Sequence, residues 1–244
     1  MGTDIHFYVE RRVNGQWVTA DTWYDTKGAP GKSVYKWGPN FEGLAGPFYS
    51  DRNYDLFAIL ADVRNGIGFA GVDTGDEVTP IAAPRGVPDD ACAEYRAQVD
   101  YLADDGHSHS YFTVAELLAY DWTQRKRKRG WVNANEFVRF ALQGEPSSWS
   151  GMVDGGGIAH ISNEEMRNLV ESDARAAFNE SLNWRYFHHL SFEAPKDLFK
   201  GLYTLVEWEV SYYECCAKFL AETMPRLWQL GSPSDVRIIF FFDN

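Results

Sequence analysis

Apolar and polar residues alternate strictly from Asp4 to Glu10, with Ile5, Phe7 and Val9 on one side and Asp4, His6, Tyr8 and Glu10 on the other. A period of two predicts a β-strand over 4–12 with one apolar face. Asn14-Gly15 is a two-residue hairpin signal, and Gln16-Trp17-Val18-Thr19 reads as the returning strand. At the other end, Val236-Arg237-Ile238-Ile239-Phe240-Phe241-Phe242-Asp243 reads as a buried strand. It is expected to pair centrally with 4–10 and to bring Asp4 and Asp243 to the sheet ends.

Between these ends the period becomes helical. Leu56, Phe57, Leu60 and Val63 stripe a helix over 53–64, capped by Asp51 or Asn53 and stopped at Asn65-Gly66. Cys92, Tyr95, Val99 and Leu102 do the same over about 89–103. Thr113-Val114-Ala115-Glu116 and Ser162-Asn163-Glu164-Glu165 are capping boxes, opening helices 114–121 and 162–178. A short helix is expected at 134–142. The longest is expected from about Pro195, striped by Phe199, Leu202, Val206, Val210, Tyr213, Ala217, Leu220 and Met224, with a kink or end at Pro225. Segments 21–52, 66–88 and 144–157 read as long ordered loops. The prediction is a single α+β domain over 1–244: a small antiparallel sheet joining the N- and C-terminal strands, packed with several helices.

Composition adds modest constraints. The 45% hydrophobic and 24% charged fractions are ordinary for a globular chain, but aromatics reach 16% with nine Trp, enough to place some on a binding surface. A net charge of −12 argues against coating nucleic acid, because that affinity rests on basic residues meeting phosphates. It favours metal cations or a basic protein partner. The run Arg125-Lys126-Arg127-Lys128-Arg129 reads as a solvated loop or helix end. Three Cys, two of them adjacent at Cys215-Cys216, make no disulfide framework and point to reduced thiols in the cytoplasm. No apolar run approaches the ~20 residues of a membrane span. The first residues lack a signal-peptide pattern, and His6 stands where a myristoylation signal needs Ser or Thr.

Polar chemistry concentrates in Asp104-Asp105-Gly106-His107-Ser108-His109-Ser110. Two imidazoles two residues apart on extended backbone can share one ion. Asp4 and His6 on the first strand complete a candidate site for Zn²⁺, Mn²⁺ or Fe²⁺ with His107 and His109. Glu10 is then the candidate general base on a metal-bound water, with Asp105 as the second catalytic carboxylate. Arg52, Arg64, Ser108 and Ser110 are candidates for holding a phosphate-bearing ligand, and Arg85 is a further anion-binding candidate. The plain alternative is a hydrogen-bonded surface turn and a half-buried His6.

Other patterns carry less. Tyr111-Phe112 stands where the metallo-β-lactamase signature, whose opening the loop resembles, continues with Asp-His. His160-Ile161-Ser162 and His189-Leu190-Ser191 resemble the paired motifs of two-histidine phosphoesterases, yet Ser162 is already a helix cap. Gly155-Gly156-Gly157 lacks the Lys-Ser/Thr of a P-loop. Cys215 and Cys216, successive on an expected helix, cannot face one partner.

Asp4-Ile5-His6, Arg52-Asn53-Tyr54-x-Leu56-Phe57-x-x-Leu60-Ala61-x-Val63-Arg64, Gly106-His107-Ser108-His109-Ser110 and Phe242-Asp243-Asn244 together resemble a family of uncharacterised proteins encoded by tailed bacteriophages and prophages. The resemblance touches both ends and the middle of the chain. It implies a virus-encoded protein acting in an infected bacterial cytoplasm, with an accessory role such as countering a host defence, and it carries no catalytic residues. Two expectations follow. One is a metal-dependent hydrolase or phosphoesterase. The other is a non-enzymatic binding protein that antagonises a defence system by sequestering a host protein or a nucleotide signal. A virion structural component is disfavoured by the many local polar clusters.

Overall fold

The computed structural model describes residues 2–21, 23–25, 35–37, 47–181 and 199–243. Its strands are β1 (Asp4–Val13), β2 (Gln16–Thr19), β3 (Trp23–Asp25), β4 (Tyr35–Trp37), β5 (His107–Thr113), β6 (Arg125–Val132), β7 (Ala159–His160), β8 (Leu202–Ser211) and β9 (Val236–Asp243). Its α-helices are α1 (Tyr54–Ala61), α2 (Ala93–Leu102), α3 (Val114–Ala119), α4 (Ala134–Gln143), α5 (Asn163–Ser181), α6 (Tyr212–Cys215) and α7 (Met224–Trp228). Contacts divide the chain into a first unit (1–66, 77–124 and 211–244) and a second (67–76 and 125–210).

The α+β class is observed. In the first unit an antiparallel sheet runs β2-β1-β9-β5, so the two ends of the chain are neighbours. Asp4 lies opposite Asp243 and Arg11 opposite Val236, so the terminal strands pair as expected and Asp4 and Asp243 lie at the sheet end. Asn14 and Gly15 both take positive φ (50° and 82°), the type I′ geometry that suits a twisted two-residue hairpin. Alternation then divides the sheet. Ile5, Phe7, Val9, Phe112, Ile238, Phe240 and Phe242 enter the larger core with α1, whereas Tyr8, Ile239 and Phe241 meet Tyr95 of α2. Burial on both faces explains why β9 is almost wholly apolar. Each such side chain contributes about 1.5–3 kcal/mol.

Helix α1 starts where Asn53 accepts the Leu56 N–H at 3.1 Å. Helix α2 begins at Ala93, four residues later than the first expected residue. The intervening turn is fixed instead by Arg96, which donates to the Pro88, Asp89 and Ala91 carbonyls. The capping box at Thr113 and Glu116 forms as expected, and Ser162 and Glu165 bond reciprocally ahead of α5.

In the second unit the sheet order is β6-β8-β7, with β7 parallel to β8. Two expectations are corrected. The long helix expected from about Pro195 is not formed over 202–211, and only the part from Tyr212 onward is helical. Residues 202–211 are strand β8, with Thr204, Val206, Trp208 and Val210 buried and Leu205, Glu207 and Glu209 exposed. The chain then re-enters helix at α6 through a new capping box, Ser211 with Glu214, and Pro225 opens α7. The basic run is strand β6. Alternation points Arg125, Arg127 and Arg129 at Glu209, Asp76 and Asp73, with Glu207 also on Arg129. Lys126 is buried on the other side, and Lys128 stands 5.9 Å from the centroid of the Trp149 ring.

The 21–52 segment, apart from Asp21, the β3–β4 ladder and 47–52, lies outside the described residues, as do His189 and Ser191. Among the described residues no helix is long and apolar enough to cross a membrane.

Candidate functional site

Strands β1 and β5 flank β9, so the two polar stretches singled out in the sequence do approach each other. They meet across Phe241. His6 lies directly opposite it in register and stacks on it, centroids 4.6 Å apart and planes 5° from parallel. From the other flank His109 lies 4.9 Å away. The three rings form a row across three strands, with the phenyl between the imidazoles.

His107 belongs to the opposite face. Its register partner is Phe242 and that of Ser110 is Phe240, so two residues of β5, Ser108 and His109, face the single Phe241 of β9. The extra residue is a β-bulge, and Ser108 within it takes φ 52°. An uninterrupted strand would aim both imidazoles of His107-Ser108-His109 the same way; the bulge sends His107 with Phe242 and leaves His109 with Phe241. His107 Nδ1 lies 3.1 Å from the Ser108 hydroxyl, and its Nε2 is buried without a hydrogen bond. His109 Nδ1 is 3.2 Å from the Tyr95 hydroxyl, which itself donates to the Phe240 carbonyl. Burial holds the His109 pKa below the ordinary imidazole range. The Gly106 carbonyl opposes that shift and His107 reinforces it.

The remaining candidates are engaged locally. Arg52 grips Asp4 with three contacts of 2.6–2.9 Å, and that hydrogen bonding raises the guanidinium pKa. His6 Nε2 stands 3.1 Å from Asp243 Oδ2, half-exposed at the end of the sheet. Arg64 donates to Thr3 Oγ1 at 2.9 Å. Ser110 is fully buried and accepts the Arg85 N–H. Asp104 and Asp105 are exposed on a 3₁₀ turn ahead of β5.

Glu10 is placed least like a general base. It is fully buried, with one oxygen accepting the Cys92 N–H at 2.7 Å and the other Arg237 Nε at 2.6 Å. Arg237 also reaches Asp90 at 2.9 Å and lies 4.1 Å over the Trp17 ring. The residues that organise the site but were not singled out are therefore Arg237, Phe241 and Tyr95. Arg237 had a signal, since it is the one charge inside an otherwise apolar strand and falls opposite Glu10 once the termini pair.

Asp4, His6 and Asp243 thus gather at one sheet end with Arg52. Among the described residues no three His, Cys, Asp or Glu side chains converge to hold a metal ion. Compared with known proteins, the chain matches no family model, no curated protein and no solved structure.

Proposed function

We propose that the chain is a phage-encoded accessory protein of the bacterial cytoplasm that acts by binding a basic host protein. The observation that carries this reading is the Phe241 ring standing between His6 and His109, which gives the histidines a packing role and no common ion. Arg52, one of the candidates for holding a phosphate, is neutralised by Asp4, so a nucleotide signal is a poorer fit than a protein. The surface around α2 supplies the complementary charge. Asp100, Asp104 and Asp105 are exposed near Tyr101 in sequence, and Asp89 is exposed ahead of the helix, on a chain of net charge −12. Arg96, on the same helix, is folded back onto backbone carbonyls.

The test is reconstitution from purified components after a partner has been captured from host cells. The expected result is a stoichiometric complex that weakens with salt and with the triple change Asp100→Lys, Asp104→Lys, Asp105→Lys. The complex should be indifferent to His107→Ala. Phosphate-ester hydrolysis that disappears in His107→Ala would overturn the proposal in favour of the hydrolase.

A further inference from the structure

The chain contains two Asn-Gly dipeptides, Asn14-Gly15 and Asn65-Gly66. Asn-Gly is the pair most open to attack on its own side chain, because glycine has no Cβ to shield its nitrogen or restrict the backbone. The Gly nitrogen can then reach the Asn Cγ and close a cyclic imide. The structure sets the two pairs apart.

Asn14-Gly15 is the tip of the β1–β2 hairpin. Val13 and Gln16 close the ladder on either side, and all four residues are exposed. A Cβ on Gly15 would meet nothing within 4 Å. Among the described residues neither the Asn14 amide nor the Gly15 N–H has a hydrogen-bond partner. The type I′ backbone carries the Gly15 nitrogen away from the Asn14 side chain, so the reaction waits for the turn to open. Opening there breaks only the last rung of the ladder, a local event well below global unfolding. Asn65 is held instead. Its Nδ2 donates to Asp62 Oδ1 at 2.7 Å and to the Val78 carbonyl at 2.9 Å, while its Oδ1 accepts the Val78 N–H at 2.7 Å. Cyclisation at Asn65 would break all three bonds, and Val78 is buried.

We propose that Asn14 is a self-modification site and that the fold protects Asn65 from the same reaction. The Gly15 nitrogen, losing its proton to water or hydroxide, bonds to Asn14 Cγ. The Cγ–Nδ2 bond breaks, and the side-chain nitrogen takes up a proton and leaves as ammonia. Water then opens the imide at either carbonyl, giving aspartate or isoaspartate and one added negative charge. Aspartate preserves the turn, since Asp-Gly also suits type I′. Isoaspartate routes the main chain through the side chain and adds a methylene, so the two-residue loop no longer fits its ladder. The strand that loosens is β2, whose buried Trp17 lies under Arg12 at 4.6 Å and Arg237 at 4.1 Å. A change at the exposed turn thereby reaches the guanidinium that holds Glu10. The inference is independent of the proposed host-protein complex.

The test is incubation of the full chain in mildly alkaline buffer, with peptide mapping by mass spectrometry at intervals, repeated in denaturing urea. In the folded chain, conversion at Asn14 is expected to run about tenfold or more faster than at Asn65. In urea the two rates should converge, because the contacts that hold Asn65 are gone. Isoaspartate is expected among the products at position 14, and the aged chain is expected to unfold at lower urea than the Asn14→Asp variant, which has the charge without the rerouted backbone. Conversion at Asn65 as fast as at Asn14 in the folded chain, or a gap that persists in urea, would overturn the proposal. An aged chain rich in isoaspartate yet as stable as Asn14→Asp would overturn the link from the turn to Trp17.

Discussion

His6 and His109 stand against opposite flanks of the Phe241 ring, at 4.6 and 4.9 Å between centroids, in one row across β1, β9 and β5. The row turns two candidate ligands into packing partners. Replacing both by Phe keeps an aromatic ring against each flank of Phe241, so the double variant is expected to stay within about 1.5 kcal/mol of the parent. Phe241→Ala opens a cavity beneath α2 and is expected to cost about 3–5 kcal/mol. Urea denaturation of the variants reads both values. A double Phe variant less stable than Phe241→Ala would show that the imidazoles hold the sheet by polar contacts instead.

Glu10 and Arg237 form the buried ion pair at the centre of the same sheet. Removing one partner leaves an uncompensated buried charge, so Glu10→Gln is expected to cost about 3–5 kcal/mol. Arg237→Met belongs in the same range. The double variant is expected to lose clearly less than the sum, because neither charge is then stranded. Asp90 is mostly exposed, so Asp90→Asn costs less than either. Additive losses would contradict the coupling.

Two groups link stability to pH with opposite signs. The His109 pKa is depressed in the fold by burial, so between the folded and unfolded values the unfolded chain holds more protons. Its contribution is complete above the unfolded value of about 6.5 and declines as pH falls through the window below it. His109→Phe should flatten that decline in denaturation series from about pH 7.5 to 5.

Asp21 behaves in the reverse sense. Burial raises its pKa well above the ordinary carboxylate value, and although Oδ2 accepts the Val9 N–H, Oδ1 has no hydrogen bond. The folded state holds the extra proton, so its contribution is complete below the unfolded value of about 3.9 and is lost as pH rises through the raised folded value. Asp21→Asn keeps an acceptor for Val9 and removes the charge. It is expected to be more stable than the parent at neutral pH, by a margin that shrinks on acidification. A variant destabilised equally at every pH would contradict this.

Gly75 takes φ 122°, and a Cβ there would fall 2.2 Å from the Arg127 carbonyl oxygen. Backbone cannot yield as a flexible side chain can, so Gly75→Ala is expected to cost more than the roughly 1 kcal/mol typical of a glycine replaced in αL. Its measured effect should exceed that of Gly86→Ala, where φ is 80° and the Cβ meets nothing within 4 Å.

The terminal strands, the hairpin and the capping boxes were legible because each is set by neighbours in sequence. Strand β8 was not, because Leu202, Val206 and Val210 recur every four residues, a spacing common to a helix and to alternate positions of a strand. The intervening Thr204 and Trp208, with Glu207 and Glu209 between, were the signal for a period of two. Alternation within Arg125–Arg129 was hidden because both faces carry positive residues, and only the partners on Asp73, Asp76, Glu207 and Glu209 tell them apart. The bulge at Ser108 was invisible in His-Ser-His-Ser, since it is defined by the register of β5 on β9 and not by local sequence. The meeting of His6 with the His107–His109 stretch was an assumption of the composite site that the sequence could not establish, because it depends on both strands pairing with β9, and the face each imidazole takes was not legible either.

The most direct measurement is elemental analysis of untagged protein purified without chelator, beside a His107→Ala/His109→Ala variant checked for folding by circular dichroism. With Phe241 between His6 and His109 and with His107 on the other face, the account predicts no stoichiometric Zn, Mn or Fe in either protein. Near-stoichiometric metal in the parent, lost in the variant, would contradict it and restore the metal-dependent hydrolase.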